Sequence, residues 1–178
     1  DTAKVNERGV IVGVVDKFAP DHIIQEHMDE LAFLAQTLSI DVEKSFVQKL
    51  EHPDPKTFVG KGKLEEIEIY IKAEKLDLII FDDDLSPSQL RNLENTLKIK
   101  IYDRSLLILD IFLKRAKSSQ AKTQVELARF QYLLPRLTRM WTHLERQRGG
   151  TGTRGGAGDL VGVDNPNAHR VQTVITES

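Results

Sequence analysis

Cations and glycines are concentrated in one stretch of this 178-residue chain. Residues 114–154 hold ten Lys or Arg and two acids, a charge of +8, whereas the rest of the chain carries −10. Clusters of cations attract phosphate backbones. A loop rich in glycine can approach a backbone closely because it lacks side chains. We therefore expect this stretch to be a nucleic-acid-facing arm on an acidic body.

The candidate contacts are the arginines of a predicted helix, 121–147, and those of the loop 148–158, which has six glycines among its eleven residues. The Gly150-x-Gly152-x-x-Gly155 spacing matches a dinucleotide-binding pattern, but that pattern works between a strand and a helix N-terminus. Here it follows a long helix, which leaves two alternatives open, a mobile linker or an RNA-contacting tip. The candidate RNA-binding residues are Arg129, Arg136, Arg139, Arg146, Arg148, Gly149, Gly150, Gly152, Arg154 and Gly155.

A second motif, Gly60-Lys61-Gly62-Lys63, has a composition that suits phosphate binding. It is not a nucleotide-binding P-loop, because the first glycine and the Ser or Thr after the lysine are missing. Either it is a glycine-opened turn before a helix, or its backbone contacts the phosphates of a nucleotide such as ATP.

Three carboxylates, Asp82, Asp83 and Asp84, follow a predicted buried strand. At the carboxyl end of a parallel strand they have the chemistry to hold Mg²⁺. The alternative is a structural role in the following loop, which we favour because no phosphate-binding loop accompanies them. We predict no metal site, since no histidine spacing suits zinc and the chain has no cysteine.

The elements that position these residues alternate between strand and helix. Apolar runs predict strands at 10–15, 42–50, 78–81 and 99–102, and helical spacing predicts helices at 21–38, 64–75 and 87–97. Asp21 is the expected N-cap of the first helix, and Ser86 with Gln89 forms a capping box for the third. This order predicts an α/β fold, a small parallel sheet flanked by helices.

The predicted order changes after residue 105. A helix at 106–117 precedes the helix at 121–147, which Pro135 should kink near Leu134. Its apolar residues repeat every three and four positions, as in a helical hairpin. We divide the chain into an α/β subdomain (1–105), a basic helix with its Gly-rich loop (106–158) and an atypical tail (159–178). The repeating apolar residues of the helix at 121–147 form a seam that consists of Leu127, Phe130, Leu134, Leu137, Trp141 and Leu144.

The absence of cysteine excludes disulfides and thiolate chemistry, and no apolar run approaches the roughly 20 residues that span a bilayer. A cytosolic location is therefore expected. The chain starts at Asp1, so we expect it to be a fragment of a longer protein.

Four segments resemble the N-terminal domain of the HflX family of ribosome-associated GTPases. They are Phe58–Lys63, Ile80–Gln89 with Arg91 and Asn92, Asp103-Arg104 leading to Leu109–Phe112, and Tyr132–Gln147. The resemblance covers residues 7–158 and stops at Asp159, where the family continues with a return helix. Without that helix, the seam at 127–144 is expected to self-associate or to fray.

The resemblance implies an α/β subdomain followed by a helical hairpin whose Gly-rich tip reaches the peptidyl-transferase region of the large ribosomal subunit. Family members bind that subunit and its rRNA, dissociate ribosomes under stress, and hydrolyse GTP with Mg²⁺. ATP binding or RNA remodelling is the alternative activity for this part. The P-loop and the other GTPase motifs are absent here, so GTP and Mg²⁺ are expected of the full-length parent, with no cofactor or catalytic residue in this chain.

Overall fold

The computed structural model of the protein describes residues 5–136. The chain divides into two units, Asp1–Lys114 and Arg115–Ser178. The first unit is an α/β fold with a four-stranded parallel sheet, which confirms the predicted fold class.

Each strand of the first unit is followed by a helix. The strands are β1 (Glu7–Val15), β2 (Ile40–Lys49), β3 (Leu78–Phe81) and β4 (Lys100–Tyr102). The helices are α1 (Asp21–Thr37), α2 (Lys61–Glu74), α3 (Pro87–Leu97) and α4 (Arg104–Arg115). Parallel strands need such crossover helices, because a tight turn cannot return the chain to the same end of the sheet.

The strand order is β2-β1-β3-β4. The chain moves outward from β1 to β2 and then crosses back over β1 to β3. Right-handed crossovers place helices made in opposite directions on opposite faces. The packing agrees with that rule: α1 and α4 share one apolar cluster with Ile11 and Ile80, whereas α2 and α3 share another with Val12 and Phe81.

The two central strands approach each other closely at Gly9. A Cβ atom at Gly9 would lie 2.7 Å from the carbonyl oxygen of Leu78, its partner on β3, so only glycine fits there. The pairing of β1 with β2 shifts register between Gly9 and Val10, and Glu43 of β2 is the extra residue of the resulting bulge. Arg8 Nε donates to Glu43 Oε1 at 2.9 Å. Bulges and charged side chains discourage pairing of an edge strand such as β2 with another sheet.

One predicted helix start and one predicted N-cap are wrong. Helix α2 begins at Lys61 instead of residue 64, because Gly60 is its N-cap and Lys61–Lys63 belong to its first turn. Helix α1 has Pro20 at its N-cap, with Asp21 as the first helical residue. The capping box at Ser86 and Gln89 is confirmed, with both of its reciprocal hydrogen bonds present.

The described part of the second unit is helical. Helix α5 (Ser119–Leu133) is capped by Ser118, whose Oγ accepts from the amide of Ala121 at 3.0 Å, and a 3₁₀ turn, Leu134–Arg136, follows it. The α-helical hydrogen bonding therefore ends just before Pro135, where the sequence predicts a kink. Helix α5 buries none of its residues, and Phe130 and Leu134 of the seam are 40% and 57% exposed.

No helix among residues 5–136 is both long enough and apolar enough to cross a membrane.

Candidate nucleic-acid interface and carboxyl edge of the sheet

Chemically active side chains of the first unit gather at the carboxyl edge of the sheet, next to the point where the strand order reverses. Strands β1 and β3 are neighbours there, while α1 and α3 leave them toward opposite faces. Ligands of open α/β sheets usually bind at such a position. Asp82 is the first residue after β3, and its amide donates to Val12 of β1 at 2.9 Å.

Asp82 joins three elements through its carboxylate. His27 Nε2 of α1 lies 2.7 Å from Asp82 Oδ2, and Arg104 Nη1 of α4 donates to Asp82 Oδ1 at 3.3 Å. The second guanidinium nitrogen of Arg104 lies 2.9 Å from Glu30 Oε1 on α1. The carboxylate therefore links β3 to both helices on one face of the sheet.

The electrostatic environment of Asp82 is a balance between burial and ion pairing. The residue is 7% exposed, and burial raises the pKa of its carboxyl above the ordinary value, although nearby His27 and Arg104 act to lower it. Both carboxylate oxygens already have partners in the fold. Asp82 is therefore placed to hold α1 and α4 at the end of β3.

The neighbouring acids hold backbone. Asp83 Oδ1 accepts from the amide of Asp84 at 2.8 Å, and Asp84 Oδ1 accepts from the amide of Ser105 at 3.1 Å. Asp103 accepts from Leu85 and from Leu106 in the first turn of α4. Within residues 5–136 no group of three His, Asp or Glu side chains is placed to hold a metal ion. This geometry favours the structural interpretation of Asp82–Asp84.

The loop between β2 and α2 is ordered by a backbone bridge and by a buried phenylalanine. Asp54 and Phe58 form an antiparallel bridge with two backbone hydrogen bonds of 2.9 Å. Phe58 is 2% exposed and has a φ of 67°, which is strained for a bulky side chain. Its ring packs edge-on against Phe81, with centroids 5.4 Å apart. Burial of Phe58 explains how the loop tolerates this conformation.

The predicted nucleotide motif, Gly60–Lys63, lies at the start of α2. The amide of Gly60 donates to Gln48 Oε1 at 2.8 Å, and Lys63 Nζ lies 3.1 Å from Glu66. A Cβ atom at Gly62 would meet nothing within 4 Å. Gly60 and Lys63 are thus engaged by neighbours within the fold, whereas Lys61 makes no ion pair with residues 5–136. Because Asp82 is also held by His27 and Arg104, the geometry does not favour the ATP-binding alternative.

Two of the predicted RNA-binding arginines lie within the described residues. Arg129 is on α5, and Arg136 is in the turn that follows. Arg136 donates to the carbonyl of Tyr132 at 2.8 Å, and its guanidinium lies 3.9 Å from the centroid of the Tyr132 ring. The other candidates lie outside the described residues, namely Arg139, Arg146, Arg148, Gly149, Gly150, Gly152, Arg154 and Gly155.

Sequence reasoning missed the partners of Asp82. Nothing in the spacing of His27, Asp82 and Arg104 along the chain indicates that they meet. The order of elements along the chain does not predict the strand order of the sheet. Once β1 and β3 are known to be neighbours, the helix after β1 must pass beside the residue after β3.

Comparison with known proteins places the chain in a class. Residues 25–113 match a family described as the GTP-binding GTPase N-terminal region, and residues 115–164 match the GTP-binding GTPase middle region. The second match extends past residue 158, so the expectation that the resemblance stops at Asp159 is wrong.

Curated relatives identify the family within that class. The GTPase HflX of Flavobacterium psychrophilum is 52% identical over 149 residues, which are 84% of this chain and 36% of the relative. The GTPase HflX of Escherichia coli is 40% identical over 155 residues, 87% of this chain and 36% of the relative. The chain belongs to the HflX family and corresponds to its N-terminal domain. It spans little more than a third of these relatives.

Solved structures agree with the fold. A GTP-binding protein from the archaeon Sulfolobus solfataricus, in complex with GDP, matches with a TM-score of 0.58 and 26% identity, over 80% of this chain and 42% of that one. The GDP complex of SsGBP matches with a TM-score of 0.64 over 96% of this chain and 43% of that one. At 22% identity, the second likeness concerns the fold alone.

Proposed function

We propose that this chain is the RNA-binding, ribosome-facing part of an HflX-type GTPase. The parent protein binds the large ribosomal subunit and dissociates ribosomes under stress. In this proposal the α/β unit is the base, and the basic helix with its Gly-rich loop contacts rRNA. Membership of the family supports the assignment, because the resemblance stated above implies it for the whole protein.

The observation that carries the proposal is the separation of charge. Residues 114–154 carry +8 and the remainder carries −10. Solubility needs no such separation, whereas binding to a polyanion is strengthened by concentrating cations on one segment. The described helix of that segment, α5, buries none of its residues, so its side chains are not committed to a core.

GTP hydrolysis with Mg²⁺ belongs in this proposal to the rest of the parent protein. The chain lacks the P-loop pattern that cradles nucleotide phosphates. The described residues also offer no group of three metal-binding side chains. We therefore assign no step of GTP chemistry to this chain.

The first test removes four arginines of the basic helix. The variant Arg129→Gln, Arg136→Gln, Arg139→Gln and Arg146→Gln should lose most of its affinity for purified large ribosomal subunits in a sedimentation assay. The control removes four cations from the amino-terminal edge of the sheet in the first unit: Lys72→Gln, Lys75→Gln, Lys98→Gln and Lys100→Gln. Equal binding by both variants and the unaltered chain would refute the proposal.

The second test concerns the loop tip. Replacing Arg148 and Arg154 with Ala should weaken binding to large subunits and leave the melting temperature unchanged, because exposed loops contribute little to a core. If binding is unchanged, the loop is a linker, and the basic helix alone makes the contact.

A further inference from the structure

Three exposed cations near the carboxyl edge of the sheet lack an acidic partner, a property that they share with Lys17, Lys75 and Lys98, so their location and the order of their backbone distinguish them. Lys56 is in the loop before α2, Lys61 is in the first turn of α2, and Arg91 is on α3. None of them makes an ion pair with another residue in 5–136. On the same helix as Lys61, by contrast, Lys63 and Lys72 lie 3.1 and 2.8 Å from glutamates. The three cations are thus available to an external anion.

The backbone beneath Lys56 is fixed by side chains on both sides. The Lys56 amide donates to Asp54 Oδ1 at 2.7 Å, and the Lys56 carbonyl accepts from Asn92 Nδ2 at 2.9 Å. The carbonyl of Asp54 accepts from Gln89 Nε2 at 2.8 Å. Because Asn92 follows Arg91 on α3, its hydrogen bond also places Lys56 beside the turn that carries Arg91.

The position of Lys61 is also fixed. It follows Gly60, whose amide donates to Gln48 Oε1 at the end of β2, and it is the first residue of α2. Ordering a flexible loop on binding costs conformational entropy, and a loop that is already ordered avoids that cost. The three cations therefore lie at the carboxyl edge of the sheet on backbone that is ordered before any ligand binds.

We propose that Lys56, Lys61 and Arg91 form a second RNA-contact surface, on the α/β unit, that takes backbone phosphates of a structured RNA. This inference rests on the proposed function, because it assumes that the partner is RNA. Lysine and arginine at separate points of a rigid surface neutralise phosphates and orient a protein without reading base sequence. This surface would set the orientation of the α/β unit on the rRNA.

The test compares two triple variants with equal loss of charge. The first is Lys56→Gln, Lys61→Gln and Arg91→Gln. The control is Lys72→Gln, Lys75→Gln and Lys98→Gln, near the carboxyl ends of α2 and α3 and so at the opposite edge of the sheet. Binding of the full chain to purified large ribosomal subunits and to fluorescent ATP is measured over a range of salt.

We expect the first variant to lose about tenfold or more in affinity for the subunit, with the slope of log K against log salt shallower by about 2, since each neutralised phosphate contributes about 0.7 to 0.9. The control should bind like the unaltered chain. Equal binding by both variants would overturn this inference and leave the proposed function standing, whereas no binding by the unaltered chain would refute both. Loss of ATP binding with subunit binding intact would mean that the cations serve a nucleotide, and that also overturns the inference.

Discussion

The described residues of the two units differ in how much apolar surface they bury. The first unit buries the central strands from both faces, and Phe81 at the end of β3 has no exposed surface. The described helix of the second unit, α5, buries no residue, although Phe130 and Leu134 are as apolar as the core residues of the first. Exposed apolar side chains such as Phe18 and Phe33 also occur in the first unit, but there they surround a core, to which the described residues of α5 contribute none. This difference fits the proposed roles of a stable base and a contact segment.

The two units also differ in charge. Six of the fourteen described cations of the first unit have acidic partners, such as Arg8 with Glu43 and Arg104 with Asp82 and Glu30. Residues 115–136 carry five cations and one acid. We therefore expect most of the electrostatic binding energy to come from the second unit.

The largest expected effect contrasts two phenylalanines. Phe81→Ala should cost about 3 to 5 kcal/mol of unfolding free energy, because it leaves a cavity beside Phe58 in the core. Phe130→Ala, at a position that is 40% exposed, should cost less than about 1 kcal/mol. Urea denaturation measures both changes. Similar losses would mean that the second unit has a core of its own and that the contrast is false.

A smaller effect contrasts two glycines of the first unit. Gly9→Ala should cost about 3 kcal/mol, because the new Cβ would lie 2.7 Å from backbone that cannot move independently of β3. Gly62→Ala should stabilise α2 by up to about 1 kcal/mol, because the space is open and alanine favours helix. Thermal unfolding should separate the two variants clearly, and a tolerated Gly9→Ala would contradict the close approach of β1 and β3.

The pH dependence of stability should identify Asp82. Burial raises the pKa of this carboxyl, so the folded state holds its proton more tightly than the unfolded chain does. Its contribution to stability is therefore present below the unfolded pKa, near 4, and is lost as pH rises through the folded value. Asp82→Asn removes that titration, and the melting temperature of the variant relative to the unaltered protein should rise from pH 4 to pH 7. Asp84→Asn is the control, because it removes a neighbouring carboxylate from the same run of aspartates. If the melting temperature of Asp82→Asn relative to the unaltered protein falls as pH rises, the pKa of Asp82 is lowered in the folded state and this account is wrong.

The smallest effect concerns the apolar seam, in which Phe130 and Leu134 are exposed. We expect the chain to self-associate through 127–144 or to show weak amide protection there, because an uncovered helix is marginal in water. Light scattering and hydrogen exchange test this, and adding a family-like return helix should make the chain monomeric. A monomer with strong protection at 127–144 would show that the seam is already covered.

Most of the first unit could be predicted because its signals are local. Buried strands such as Leu78–Phe81 are continuous apolar runs, and the Ser86 capping box lies within four residues of sequence. Contacts between distant segments could not be predicted. The link from His27 through Asp82 to Arg104 joins three elements whose meeting depends on strand order, and the start of α2 depends on Gly60 being held by Gln48.

The most direct test of the central claim is the salt dependence of binding to the large ribosomal subunit or its rRNA. If six to eight cations of residues 114–154 neutralise phosphates, log K should fall with log salt with a slope of about −5. Such a slope, lost when the arginines of the basic helix are replaced by glutamine, would support an electrostatic contact segment on a stable base. A slope near zero would contradict it.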